Sequence, residues 1–165
     1  SLYSLSWYRQ PYRHWISQWK FQHQQAAGEL LCQLLYQHAL LYQHQGGPLP
    51  DCISYTPVSD KRLQERGFNQ AKLLAQQLAI AWQKPCVSLF QSPDLVPHQI
   101  GLNRKERLAN LKGKIQLKQR PLPAHVTLVD DVITTGATLD YLSSLLKAKG
   151  VQTVSVWTLA ITRAF

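Results

Sequence analysis

Asp130 and Asp131 stand side by side at the end of the apolar, β-branched run Val126-Thr127-Leu128-Val129. The segment Val132-Ile133-Thr134-Thr135-Gly136-Ala137-Thr138 follows at once. Two adjacent acids at the end of a buried strand have no obvious packing use, because burying an unpaired charge is costly. They are suited to accept hydrogen bonds from a vicinal diol or to hold a hydrated Mg²⁺. The Thr/Gly segment runs into helix-like sequence, and a helix start carries unpaired N–H donors and partial positive charge, which suits a phosphate. Thr134, Thr135 and Thr138 add hydroxyl donors, and Ala137 adds a backbone N–H. Gly136 lets the backbone approach closely or take a positive φ. Acids and cradle together describe a site for a sugar phosphate. The competing reading is an N-capped helix beside two solvated aspartates.

Stepping outward along the chain, Cys52 to Val58 reads as a short buried strand, and Lys61 to Gln70 as a polar loop closing near Gly67, before a helix over Ala71–Ala79. Ser59, Lys61, Arg62 and Arg66 of this stretch are candidates to meet an anionic leaving group. For Lys61 and Arg62 a surface salt-bridge role is an equal alternative. Val126–Val132 is predicted to be a strand, Thr138–Lys149 a helix ended by Gly150, and Val151–Ile161 a last strand. Residues 26–44 form a helix with apolar residues at three- and four-residue spacing, stopped by Gly46-Gly47-Pro48. Pro11 to His23 reads as an aromatic amphipathic helix, whose rings pack in the core, form an interface or stack nucleobases. Weaker signals give a strand at Lys84–Phe90, a short helix at Asn103–Leu111 and a strand at Lys114–Leu117. Strands alternating with helices predict an α/β fold with a mostly parallel sheet flanked by helices. Residues 1–50 would be an N-terminal helical segment packing on a core of residues 51–165, in a single domain overall. Ligands of such sheets bind at the carboxyl ends of strands, where both loops, 58–70 and 132–138, should lie.

Two resemblances follow from these residues. Val126 to Thr138 resembles the phosphoribosyl pyrophosphate (PRPP) signature of type I phosphoribosyltransferases: four apolar residues, two acids, an apolar residue, then x-Thr-Thr-Gly-x-Thr. Arg66-Gly67-Phe68-Asn69-Gln70 ahead of an Ala/Leu-rich helix, and Gln99 with Arg104-x-x-Arg107-x-x-Asn110, are similar to the ComF/GntX family. The resemblance covers nearly the whole chain. It implies a type I phosphoribosyltransferase-like fold and an association with competence, the handling of incoming transforming DNA. Carried over, Asp130, Asp131, Thr134, Thr135, Gly136 and Thr138 would form the PRPP site, the acids taking the ribose hydroxyls and the loop the 5′-phosphate. Gln99, Arg104, Arg107 and Asn110 would belong to a mobile loop that covers it. Mg²⁺ would come with the pyrophosphate. The implied activity is phosphoribosyl transfer to an unidentified acceptor with pyrophosphate release. The alternatives are a non-catalytic PRPP- or nucleotide-binding module that binds single-stranded DNA, alongside the competence machinery proteins, and a regulator that no longer catalyses. The four-cysteine zinc module at the start of many family members has no match here.

Composition sets outer bounds. The 165 residues are 45% hydrophobic, enough for a layered core. No apolar run approaches the roughly 20 residues of a transmembrane helix, and Ser1-Leu2-Tyr3-Ser4 lacks a signal-peptide pattern. Starting at Ser1 rather than Met is compatible with a preceding segment. Cys32, Cys52 and Cys86 show no metal-like spacing and read as small buried hydrophobes, so a reducing cytoplasm is the expected location. The net charge of +9 favours polyanionic partners. Arg104, Lys105, Arg107, Lys112, Lys114, Lys118 and Arg120 crowd one stretch, with Lys112, Lys114 and Lys118 as candidate DNA contacts and a solvated surface as the alternative.

Overall fold

The computed structural model describes residues 1–22, 24–91, 111, 113–118 and 121–162. Val126, Leu128 and Val129 are fully shielded from solvent, which fits a strand covered on both faces. They lie in β5 (His125–Ile133), an inner strand of a four-stranded sheet. Its parallel neighbours are β2 (Cys52–Tyr55) and β6 (Thr153–Ile161), and β1 (Leu2–Trp7) adds parallel to β6 at the far edge. The order is therefore β1-β6-β5-β2, with all four carboxyl ends on one side.

Helices cover both faces. α1 (Tyr12–Phe21), α2 (Gln25–His44) and α4 (Gln70–Trp82) pack on one, burying Ile16, Trp19, Leu31, Leu35, Leu74 and Leu78 against Val129, Trp157 and Leu159. α5 (Ala137–Ala148) packs on the other, with Leu139, Leu142 and Leu146 against Val126 and Leu128. The alternation Leu128-in-one-face, Val129-in-the-other gives Asp131 the parity of Val129, toward α1. α1 and α2 meet closely at Gly28, where any Cβ would collide with the indole of Trp19. Trp19 also stacks on Phe68 at 5.8 Å between ring centroids.

Several expectations change. The N-terminal 50 residues contribute a sheet strand, β1, as well as helices; its short, half-exposed alternation was not distinguishable from irregular chain without β6 beside it. Lys61–Gln70 is not a loop: α3 spans Asp60–Arg66. Ser59 caps it by accepting from the Arg62 N–H at 3.3 Å, Asp60 and Arg66 suit its two ends, and Gly67 closes it at φ 79°. Lys84–Phe90 is not a continuous strand. Cys86 makes one parallel bridge to Ile53, and the only strand there is β3 (Phe90–Gln91), antiparallel to β4 (Gln116–Leu117). The helix expected at Asn103–Leu111 lies outside the described residues, apart from Leu111.

Of the three cysteines, Cys52 is buried and Cys32 and Cys86 are half-buried. Burial pushes the Cys32 thiol up to about 11, with help from the nearby Glu29 charge, so it is an inert side chain. Among the described residues no helix is long and apolar enough to cross a membrane.

Candidate active site

A cavity of about 410 Å³ opens at the carboxyl ends of the strands. Each side of it comes from a different element. Beyond β1 comes Tyr8, beyond β2 come Thr56, Pro57 and Val58, and β5 delivers Asp130 and Asp131. The Thr134–Thr138 loop leads from β5 into α5 and forms the floor on that side. Gly136 sits at the N-cap of α5 with φ 73°, a left-handed conformation that a Cβ would strain. Ala137 N–H is 3.4 Å from Thr135 Oγ1, so this hydroxyl lies at the helix start. The lining also holds three cations: Lys20 of α1, and Arg62 and Arg66 of α3.

The acids are held tightly. Asp130 Oδ1 accepts from the Thr56 hydroxyl at 2.9 Å and from the Asp131 N–H at 3.0 Å. Asp131 Oδ1 accepts from the Val132 N–H at 2.8 Å, and its Oδ2 pairs with the Lys20 ammonium. The Thr158 hydroxyl, across in β6, donates to the Asp131 carbonyl at 2.9 Å. Burial first, and then the Asp131 charge, push the Asp130 carboxyl from its ordinary 3.8 up to about 7. The Thr56 hydrogen bond and the Lys20 charge oppose that rise without cancelling it. Arg62 is pulled below its ordinary value by burial and by the Arg66 guanidinium, against the restoring charges of Asp131 and Glu65.

One buried donor lacks a partner among the described residues: Gln70 Nε2, on a residue that lines the cavity. Its Oε1 takes a 3.5 Å hydrogen bond from Arg66, whose guanidinium also lies 5.6 Å from the ring centroid of Phe21. Asn69 is structural: it caps α4 through the Lys72 N–H at 3.3 Å and donates to the Thr56 carbonyl at 3.0 Å, holding the β2 end beside Asp130.

No family model matches the chain. Over 98% of its length it is 35% identical to DNA utilization protein YhgH of Salmonella typhi, covering 72% of that protein. Over 93% of its length it is 39% identical to competence protein F of Haemophilus influenzae, covering 69% of that protein. The chain belongs to the ComF/GntX family. An adenine phosphoribosyltransferase structure matches with a TM-score of 0.50 at 17% identity, covering 81% of this chain and 71% of that one. The fold of this ComF family member is that of the type I phosphoribosyltransferases.

Within the ComF fold, the residues singled out from sequence separate into three groups. Asp130, Asp131, Thr134, Thr135, Gly136, Ala137, Thr138, Arg62 and Arg66 all line the one cavity. Ser59 and Lys61 do not: Ser59 is the buried cap of α3, and Lys61 is exposed, 3.9 Å from Glu65 one turn on. Gln99, Arg104, Arg107, Asn110 and Lys112 lie outside the described residues. Lys118 is tied down, its ammonium donating to Ser88 Oγ at 2.8 Å, and Lys114 is likewise engaged. Thr56, Lys20 and Tyr8 were missed. Thr56 is set beside Asp130 by the parallel register Tyr55↔Val129, and Lys20 reaches Asp131 only through the packing of α1. Neither pairing leaves a local signal in the sequence.

Among the described residues no cluster of three His, Cys, Asp or Glu side chains converges. A divalent ion would find two carboxylates here and take its other ligands from substrate oxygens and water, which is how Mg²⁺ is commonly bound with phosphates. A carboxyl raised to about 7 beside a second acid is a site whose charge an added cation relieves. The residues therefore fit a Mg²⁺ that arrives with a polyphosphate.

Proposed function

We propose that the protein binds PRPP with Mg²⁺ and transfers its phosphoribosyl group to an acceptor, releasing pyrophosphate, in the service of DNA utilization. The observation that carries this reading is the convergence, on one cavity, of the paired acids of β5, the hydroxyl-rich start of α5 and the two arginines of α3. In this reading the N–H and hydroxyl groups of Thr134–Thr138 take the 5′-phosphate. Asp130 and Asp131 accept the ribose hydroxyls, and their charge stabilises the oxocarbenium-like sugar as the C1–O bond breaks. Arg62 and Arg66 receive the departing pyrophosphate, and the orphaned Gln70 amide supplies a further donor. Bound Mg²⁺ would neutralise charge on the pyrophosphate.

The test is calorimetric titration of PRPP in Mg²⁺ buffer against the protein and its Asp130→Asn, Asp131→Asn double variant. Binding by the protein and none by the variant is expected, after which acceptors are screened by pyrophosphate release. Equal binding by both would remove the acids from the site. A second reading, a module that binds single-stranded DNA without catalysis, is favoured by the +9 charge and by the names of the relatives. It predicts that Lys112→Glu with Lys118→Glu flattens the salt dependence of DNA binding by about one unit of slope per lost contact. An unchanged slope returns that segment to solvated surface.

A further inference from the structure

The Lys20–Asp131 pair differs from an ordinary surface ion pair. Its side chains are only 18% and 15% exposed, against 67% and 57% for Lys61–Glu65. Lys20 is in the last turn of α1, one residue after the buried Trp19 that is wedged against Gly28 and stacked on Phe68. The ammonium is thus delivered to the acids by a rigidly packed helix rather than by a free surface chain. An ammonium has three N–H donors. Asp131 Oδ2 takes one, leaving two for a ligand entering the cavity that Lys20 lines. Its charge also acts on Asp130, so one cation serves both acids.

We propose that Lys20 is a ligand-contacting residue of the sugar-phosphate site. It holds the Asp131 carboxylate in place through one N–H and donates another to an oxygen of the bound sugar phosphate, so that a sugar phosphate binds without an obligatory divalent cation. This inference rests on the sugar-phosphate reading above and deepens it, because it places part of the counter-charge in the chain itself. Charge-assisted hydrogen bonds of this kind are worth about tenfold or more in affinity.

The experiment titrates ribose 5-phosphate, which lacks the pyrophosphate that would carry Mg²⁺, into the full chain and its Lys20→Gln and Lys20→Arg variants, in EDTA and in Mg²⁺. The protein is expected to bind in EDTA. Lys20→Gln should bind about tenfold more weakly there, with Mg²⁺ restoring most of the loss, and Lys20→Arg should stay close to the parent. Unchanged binding by Lys20→Gln in EDTA would make the pair a structural tie between α1 and β5. Tighter binding would make Lys20 a competitor of the ligand. Either result overturns the inference, as does a parent protein that binds only with Mg²⁺. A parent that binds in neither buffer removes the sugar-phosphate reading itself. Should Lys20→Gln fail to fold, amine-reactive footprinting of the parent decides: Lys20 should become less reactive on addition of ribose 5-phosphate in EDTA, and a gain in reactivity overturns the proposal.

Discussion

Replacing Asp130 by Asn should make the ligand-free protein more stable at alkaline pH while abolishing sugar-phosphate binding. Asn keeps the shape of the side chain and an oxygen to accept from Thr56, and it removes only the charge. Raising a carboxyl from 3.8 to about 7 corresponds to about 4 kcal/mol of free energy opposing ionisation in the folded state. Water reaches the cavity and weakens the penalty, so about half of that, about 2 kcal/mol, is the expected effect. The sign follows from proton uptake. Below about pH 4 the carboxyl is protonated in folded and unfolded chains alike. Between there and pH 7 the folded state binds more protons, so stability falls as pH rises through the folded value. Thermal denaturation of both proteins from pH 5 to 8.5, without ligand, gives the answer as a difference in Tm at each pH. The remaining titrating groups cancel in that difference. It should be smaller at pH 5 than at pH 8, where it reaches about 4–8 °C in favour of the variant, the range for a domain of this size. A difference that does not change with pH, or a parent that is the more stable at pH 8, would refute the claim that burial and Asp131 raise this carboxyl.

Other outcomes follow from the same geometry. Thr56→Val removes a hydroxyl that favours the charged form of Asp130, so it should lower ligand-free stability by about 1 kcal/mol at pH 8 and by less at pH 5. Equal losses at the two pH values in denaturant titrations would leave Thr56 a packing role alone. Gly28→Ala should destabilise by about 1–3 kcal/mol in urea titration, since its methyl group must displace Trp19. It should also weaken ribose 5-phosphate binding by shifting α1; full stability in the variant would contradict the close approach. Ser59→Ala should speed hydrogen exchange across residues 61–66, with about 1 kcal/mol of capping lost. Unaltered exchange would mean that α3 is held by other contacts.

The strongest local signals were those in which one short segment carries both the element and its chemistry. Val126 to Thr138 contains its own strand, its acids, its left-handed Gly136 and its helix start, so strand end and phosphate cradle could be read together. The α2 periodicity and the Gly150 stop after α5 were legible for the same reason: helices are specified by residues a few positions apart. α3 was missed because a single Leu63 among six polar residues offers no apolar periodicity, and the N-cap at Ser59 was the signal that could have found it. β1 was missed because an edge strand of a parallel sheet is defined by its partner, and β6 lies at the other end of the chain.

The sequence by itself determined the fold class, the family and the acids and hydroxyls of the candidate site, since each depends on residue types at short spacing. Tertiary structure alone decided which distant groups share the cavity. Parallel pairing of β2 with β5 brought Thr56 to Asp130, and the packing of α1 brought Lys20 to Asp131. It also decided that Arg62 and Arg66 face inward while Lys61 faces solvent, because a helix sends successive side chains in different directions. Burial and a second acid then moved Asp130 far from its ordinary titration, an effect of environment that no residue name carries.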